Sequence, residues 1–111
     1  MDIWYRVRDL GAARTFYTGV LAFREVYVDE DDGWVRLERS GVEISLAEGE
    51  PSADGEDDPV AALVVDDVKA EAERLREAGV NVGVVLEISG AVRLLDVFDP
   101  DGNRLQLSED I

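Results

Sequence analysis

A short pattern occurs twice in this chain. Val7-Arg8-Asp9-Leu10 leads into a stretch of helical periodicity, and Val65-Asp66-Asp67-Val68, 58 residues further on, leads into another. Each has a strand-like segment before it and three more after its helix. A strand–helix–three-strand unit present twice predicts eight strands and two main helices. The constraint goes further than a count of elements. A sheet with a helix over one face leaves its other face needing cover, and two such faces brought together make a cleft.

The details of each half support the repeat. Ile3 to Arg8 alternates, with Ile3, Tyr5 and Val7 on one face and Asp2, Trp4 and Arg6 on the other. Asp9 is placed to cap a helix whose apolar face is Leu10, Ala13, Phe16, Tyr17, Val20 and Leu21. Glu25 to Val28 reads as a strand and Asp29 to Gly33 as a polar turn. Trp34–Glu38 and Val42–Leu46 form a hairpin pattern about Ser40-Gly41. In the second half, Val60 to Val65 is apolar nearly throughout, which predicts a strand buried on both faces. Asp67 caps a helix with the stripe Val68, Ala72 and Leu75, and Gly79 stands where a helix ends. Strands are expected over Val82–Ile88, Ala91–Phe98 and Arg104–Ser108, with Asp99-Pro100-Asp101-Gly102-Asn103 as a turn. Between the halves, Glu48 to Pro59 (EGEPSADGEDDP) is acidic, with Gly and Pro, and reads as an exposed linker. The expected organisation is a single α+β domain over 1–111: module one 1–47, linker 48–59 and module two 60–111.

Composition narrows the chemistry. With 111 residues and 46% hydrophobic content, the chain suits one domain with a real core. It has no cysteine, which excludes disulfides, thiolate nucleophiles and thiolate metal sites, and fits a cytoplasmic location. It also has no histidine. Any metal would need an all-oxygen shell, and any acid–base step would fall to Asp, Glu, Tyr or Arg-assisted water. The net charge of −15 argues against a nucleic-acid partner. It would suit a cationic ligand, although an acidic surface serves solubility equally well. No run approaches the roughly 20 apolar residues of a membrane helix, and the start Met1-Asp2-Ile3-Trp4 does not resemble a signal peptide.

Taken in order and spacing, several of these segments resemble the glyoxalase/bleomycin-resistance/extradiol-dioxygenase (vicinal-oxygen-chelate) superfamily. The carriers are Val7-Arg8-Asp9-Leu10 with Ala13 and Phe16-Tyr17, then Leu21-Ala22-Phe23. In the second half they are Val65-Asp66-Asp67-Val68, Glu73-Arg74-Leu75-Arg76-Glu77-Ala78-Gly79-Val80, and Phe98-Asp99-Pro100-Asp101-Gly102-Asn103 with Leu105-Gln106-Leu107. Ala22 is a departure, since the family usually has glycine there. The resemblance implies paired βαβββ modules and, in the family's metal enzymes, His or Glu at four strand positions facing the cleft. Those positions fall here on Asp2, Ser45, Val60 (Pro59 or Ala61 with a slipped register) and Gln106. Only one of the four is anionic, and oxygen-ligated divalent metals generally need more than one carboxylate. No metal and no other cofactor is therefore expected.

Strand parity then gives the expected cleft residues: Trp4, Arg6, Trp34, Arg36, Glu43, Ser45, Leu94, Asp96, Arg104 and Gln106, with Val92 and Ser108 alongside. The resemblance suggests a substrate carboxylate as partner for Arg6. Plainer roles are open to each residue. Trp4 could fill the space of a missing metal or pack at a dimer interface, and Arg6 and Asp96 could form an internal ion pair. The leading functional expectation is a metal-free protein that binds a cationic or aromatic small molecule in the cleft, as a homodimer. One alternative is a metal-dependent lyase, isomerase or dioxygenase with a shifted site drawn from Asp2, Glu43, Asp96 and Glu109. Others are a metal-free enzyme using Asp96 or Glu43 as base, and a non-catalytic dimerising module.

Overall fold

The computed structural model describes residues 3–51 and 60–111. Asp2, Pro59 and most of the acidic linker lie outside the described residues. The order of elements is β1 (Trp4–Val7), α1 (Leu10–Gly19), β2 (Arg24–Asp29), β3 (Trp34–Arg39), β4 (Val42–Glu48), β5 (Ala61–Val64), α2 (Val68–Glu77), β6 (Asn81–Val82), β7 (Leu86–Ile88), β8 (Val92–Phe98) and β9 (Arg104–Asp110). One sheet runs β1-β4-β3-β2 and the other β5-β9-β8-β6, with β7 also on β8. In each sheet the first strand of the unit lies parallel to the last, and the remaining pairs are antiparallel. This is the expected pair of βαβββ modules.

The helices start where the sequence places their caps. An Asp9 carboxylate oxygen accepts from the Ala12 N–H at 3.0 Å, and an Asp67 oxygen accepts from the Ala70 N–H at 3.0 Å. Each cap stabilises its helix by about 1 kcal/mol. The hairpin turns Ser40-Gly41 and Ser89-Gly90 both have two consecutive positive φ angles, the geometry whose twist matches paired strands. Ala13 and Tyr17 of α1, and Val68, Ala72 and Leu75 of α2, are buried against their own sheets. There they meet Tyr5, Val7, Val35, Leu37, Ile44 and Leu46 in one half, and Leu63, Leu95, Val97, Leu105 and Leu107 in the other, as one continuous core.

Two polar knots tie the halves together. The Tyr5 hydroxyl donates to the Arg104 carbonyl at 2.5 Å and accepts from the Ala61 N–H at 3.0 Å. The Tyr17 hydroxyl donates to Asp99 at 2.8 Å. Asp99 is itself only 4% exposed, and also accepts from the Asp101 and Asn103 backbone N–H groups and the Asn103 amide. The same Asn103 amide donates across to the Arg6 carbonyl at 2.9 Å. A buried carboxylate with this many donors is satisfied, as buried charges must be. The turn after β8 is thus a bolt between modules as well as a good turn sequence.

The observed chain departs from the sequence-based expectation in three places. Val82–Ile88 is not one strand: it breaks into β6 and β7 around Gly83-Val84-Val85, so the chain has nine strands among the described residues. At the break the Gly83 N–H bonds the Asp96 carbonyl and the Arg76 guanidinium donates to the Gly83 carbonyl. The β5 strand is not buried on both faces: Ala61 and Leu63 are in the core, while Val64 is 63% exposed. The linker's first residue belongs to the fold, because Glu48 ends β4 and its carboxylate accepts from the Leu10 N–H. Ala22 has φ 61°, the left-handed conformation that favours glycine, the residue the resemblance implies there. Among the described residues, no helix is long and apolar enough to cross a membrane.

Candidate functional site

The helix-free face of the first sheet is built on two small side chains. Strand register sets Trp4 beside Ser45 and Ser45 beside Arg36 in one row. The next row is Arg6, Ala47 and Trp34. Ser45 and Ala47 on β4 therefore form a trough between β1 and β3. Two strand spacings separate β1 from β3 by roughly 9.5 Å. Yet the Trp4 and Trp34 ring centroids lie 5.3 Å apart, tilted by 55°. The indoles lean towards each other over β4. That cover explains why Ser45 is only 3% exposed on a face that carries no helix.

Tyr27 extends the floor, with its ring 5.0 Å from Trp34. Simple alternation would have set Tyr27 on the same side as Glu25, towards α1. A bulge between Glu25 and Tyr27 shifts the register and turns Tyr27 to the open face. Sequence reasoning missed this residue because a bulge leaves no trace in an alternating pattern. Trp4 and Tyr27 remain 45% and 52% exposed. The Arg36 guanidinium lies over the Trp34 ring at 5.4 Å from its centroid. It also touches Ser45 Oγ at 3.5 Å and Glu43 at 4.0 Å.

The second sheet presents the other expected residues on its own helix-free face. Asp96 lies 3.6 Å from Arg104 and 3.4 Å from the Gln106 amide. Leu94 stands beside Ser108 in the neighbouring row. Exposed Val64, Leu86 and Ile88 surround this polar cluster with aliphatic surface. The ten expected cleft residues thus fall into two groups. Trp4, Arg6, Trp34, Arg36, Glu43 and Ser45 are on one sheet, and Leu94, Asp96, Arg104 and Gln106 are on the other. Within one chain no ion pair or ring contact joins the groups among the described residues. The proposed Arg6–Asp96 pair does not form, since Asp96 turns to Arg104.

The repeat locates the metal positions. Trp4 pairs with Ser45 in the first module and Ala62 with Gln106 in the second, so Ser45 and Gln106 are equivalent. A hydroxyl, an amide and the hydrocarbon of Val60 do not fit a divalent cation, which needs several charged or carbonyl oxygens. Asp2 lies outside the described residues. The shifted set does not converge either. Glu109 faces α2, where it accepts from the Val68 N–H and pairs with Arg93, while Glu43 and Asp96 stand on different sheets. Among the described residues no three acidic groups gather at metal-binding spacing.

Titration is perturbed at the joint between modules. Burial pushes the Tyr5 hydroxyl up to about 12. Burial, and then the charge of Asp99, pushes Tyr17 well above its ordinary value. On the helix side, the Arg14 hydrogen bond holds the Glu25 carboxyl below its usual range.

The sequence pattern of the Glyoxalase/Bleomycin resistance protein/Dioxygenase superfamily matches residues 3–107. The chain belongs to that superfamily. Solved structures carry the same fold. One is an integron cassette protein from the mobile metagenome of the Halifax Harbour sewage outfall, with TM-score 0.82 and 21% identity over 98% of this chain and 96% of that one. Another is the fosfomycin resistance protein FosX from Listeria monocytogenes, with TM-score 0.80 and 20% identity over 100% of this chain and 92% of that one. A third is lactoylglutathione lyase from Agrobacterium tumefaciens, with TM-score 0.73 and 17% identity over 98% and 91%. At these identities the likeness establishes the fold. The Listeria protein has also been solved with Mn(II) and a sulfate ion. No curated protein matches this chain closely enough to count as a relative.

Proposed function

We propose that this chain is a metal-free binding member of the superfamily that holds a small aromatic molecule on the open face of its first sheet. One observation carries the reading. Where a metal enzyme of this fold would need charged ligands, this chain has the Ser45 hydroxyl beneath two indoles, Trp4 exposed and Trp34 half-buried, with exposed Tyr27 beside them. Tilted aromatic rings on the strands of one sheet offer flat apolar area at little entropic cost. Trp4, Arg6, Trp34, Arg36, Glu43 and Ser45 would line this half of the site. Leu94, Asp96, Arg104 and Gln106 would complete it from a second-module face.

A second copy of the chain is the proposed source of that completion, since no ion pair or ring contact joins the two groups among the described residues of one chain. The exposed Val64, Leu86 and Ile88 are the surface such a partner would cover. The test is thermal unfolding of chelator-treated protein with a panel of flat aromatic compounds, cationic ones included. A ligand at 100 times its Kd stabilises by about 2.7 kcal/mol, a shift of several degrees. Stabilisation without metal supports the reading. A requirement for Mn(II) or another divalent ion before any compound shifts the melt would replace it with the metal-dependent lyase or dioxygenase alternative. A monomer mass in light scattering, with and without ligand, would remove the dimer.

A further inference from the structure

The two sheets end in unlike edges. In the first sheet the outer strand is β2, which pairs only with β3. It begins at Arg24, ends at Asp29, bulges between Glu25 and Tyr27, and runs into Glu30, Asp31 and Asp32. Charges and a bulge keep a bare edge from pairing with another chain. The outer edge of the second sheet is formed by β6 and then β7, which pair with β8 in turn. From Val82 to Gly90 its only charged residue is Glu87. That carboxylate is already answered by Arg93 at 3.2 Å.

The stretch alternates as a strand does. Val85 packs against the core and Glu87 meets Arg93, whereas Val84, Leu86 and Ile88 stand exposed. Leu86 heads a row that crosses the sheet through Leu94 and Ser108 to exposed Val64. Two chains of charge −15 repel each other, so contact between copies costs least where charge is absent or already paired. This edge is such a place. Its residue order is also self-complementary. Two antiparallel copies related by a two-fold axis through Leu86 set Leu86 against Leu86, Val84 against Ile88 and Val85 against Glu87. No carboxylate faces another. An axis through Glu87 would oppose two like charges, which destabilises a strand pair.

We propose that β7 is a docking edge for a second copy of this chain: the two β7 strands pair antiparallel about Leu86 and join two second sheets into one. An isologous contact of this kind closes at two chains. It uses the edge of the sheet, is separate from the face-to-face completion proposed above, and needs no bound ligand.

The chain has no cysteine, so an introduced thiol reports without background. Opposed residues of an antiparallel pair hold their Cβ atoms about 4.5–5.5 Å apart, close to the span of a disulfide. Leu86→Cys, on the axis, is expected to crosslink to itself under mild oxidation. Val84→Cys and Ile88→Cys oppose each other, so each alone should stay single and the mixture should join. Sedimentation of the unmodified chain, at about 0.15 M salt to screen repulsion, should show a rise towards twice the chain mass, with a Kd of about 10–100 μM for so small a contact. Leu86→Lys sets like charges against each other on the axis and should weaken pairing at least tenfold, by about the usual effect of an edge lysine, while the exposed position leaves the fold and its circular dichroism unchanged. A chain that stays monomeric to about 1 mM overturns the proposal and leaves the edge to a foreign strand. A dimer in which Leu86→Cys does not crosslink also overturns it and assigns the pairing to the face-to-face contact, with the binding reading intact. Self-crosslinking of Val84→Cys, or an unchanged mass for Leu86→Lys, overturns it as well.

Discussion

Tyr5→Phe removes a single oxygen from the joint between the modules. The ring stays, and with it the apolar packing, since Tyr5 is buried among core residues. What is lost is a donor to the Arg104 carbonyl and an acceptor for the Ala61 N–H. Ala61 is fully buried, so no water replaces the hydroxyl. A lost hydrogen bond costs about 1 kcal/mol net, and a stranded buried N–H raises that to about 2–3 kcal/mol. Urea unfolding at neutral pH should show this as a lower midpoint with an unchanged slope.

A second signature ties the loss to this hydroxyl. Burial raises the folded pKa of Tyr5 to about 12 from an ordinary 10.0. The unfolded chain therefore deprotonates first, so the stability this group contributes is complete below pH 10 and falls as pH climbs towards 12. Two pH units correspond to about 2.7 kcal/mol. Tyr17 adds its own alkaline loss to wild type and variant alike, so the measurement is the difference between the two proteins. That difference should narrow steadily above pH 10. A gap under about 0.5 kcal/mol at neutral pH, or one that stays constant through pH 11, would refute the argument that the hydroxyl bridges the modules.

Two further substitutions probe other claims. Ala22→Gly relieves a left-handed alanine, worth about 1–2 kcal/mol, against the added freedom of unfolded glycine; a net gain of about 0.5–1 kcal/mol and a Tm higher by a few degrees is expected by calorimetry, and an unchanged or lower Tm would show that Ala22 is not strained. Asp99→Asn puts an amide NH2 against donors that now meet carboxylate oxygens, so it should cost about 3 kcal/mol and more than Tyr17→Phe at about 2 kcal/mol; the reverse order in urea unfolding would mean that the backbone N–H groups of the turn do not depend on the charge.

The sequence made the repeat legible because its signals are local. An Asp before each helix, a Ser-Gly at each hairpin and alternation along β1, β3 and β4 depend on neighbours a few residues away. What escaped it was set by distant partners or by backbone irregularity. The exposed side of β5 could not be read from an unbroken apolar run, since Val64 looks the same covered or bare. The split of Val82–Ile88 follows from hydrogen bonds that Asp96 and Arg76 make to Gly83. Tyr27 changed face through a bulge. At the candidate site, parity put Trp4, Arg6, Trp34, Arg36, Glu43 and Ser45 on one face. It could not show that the indoles converge across β4, nor that Arg36 occupies the ring.

The two modules share a backbone plan and use it unequally. The place filled by Trp4 in the first is filled by Ala62 in the second, and Ser45 stands where the second has Gln106. The bulky and the slight have been exchanged between equivalent positions. Such halves are not interchangeable parts: a chain built from two copies of the first module would set four indoles where this one sets two, and two copies of the second would have none. The symmetry of the fold lies in its backbone, and the asymmetry of its side chains is what a ligand would meet.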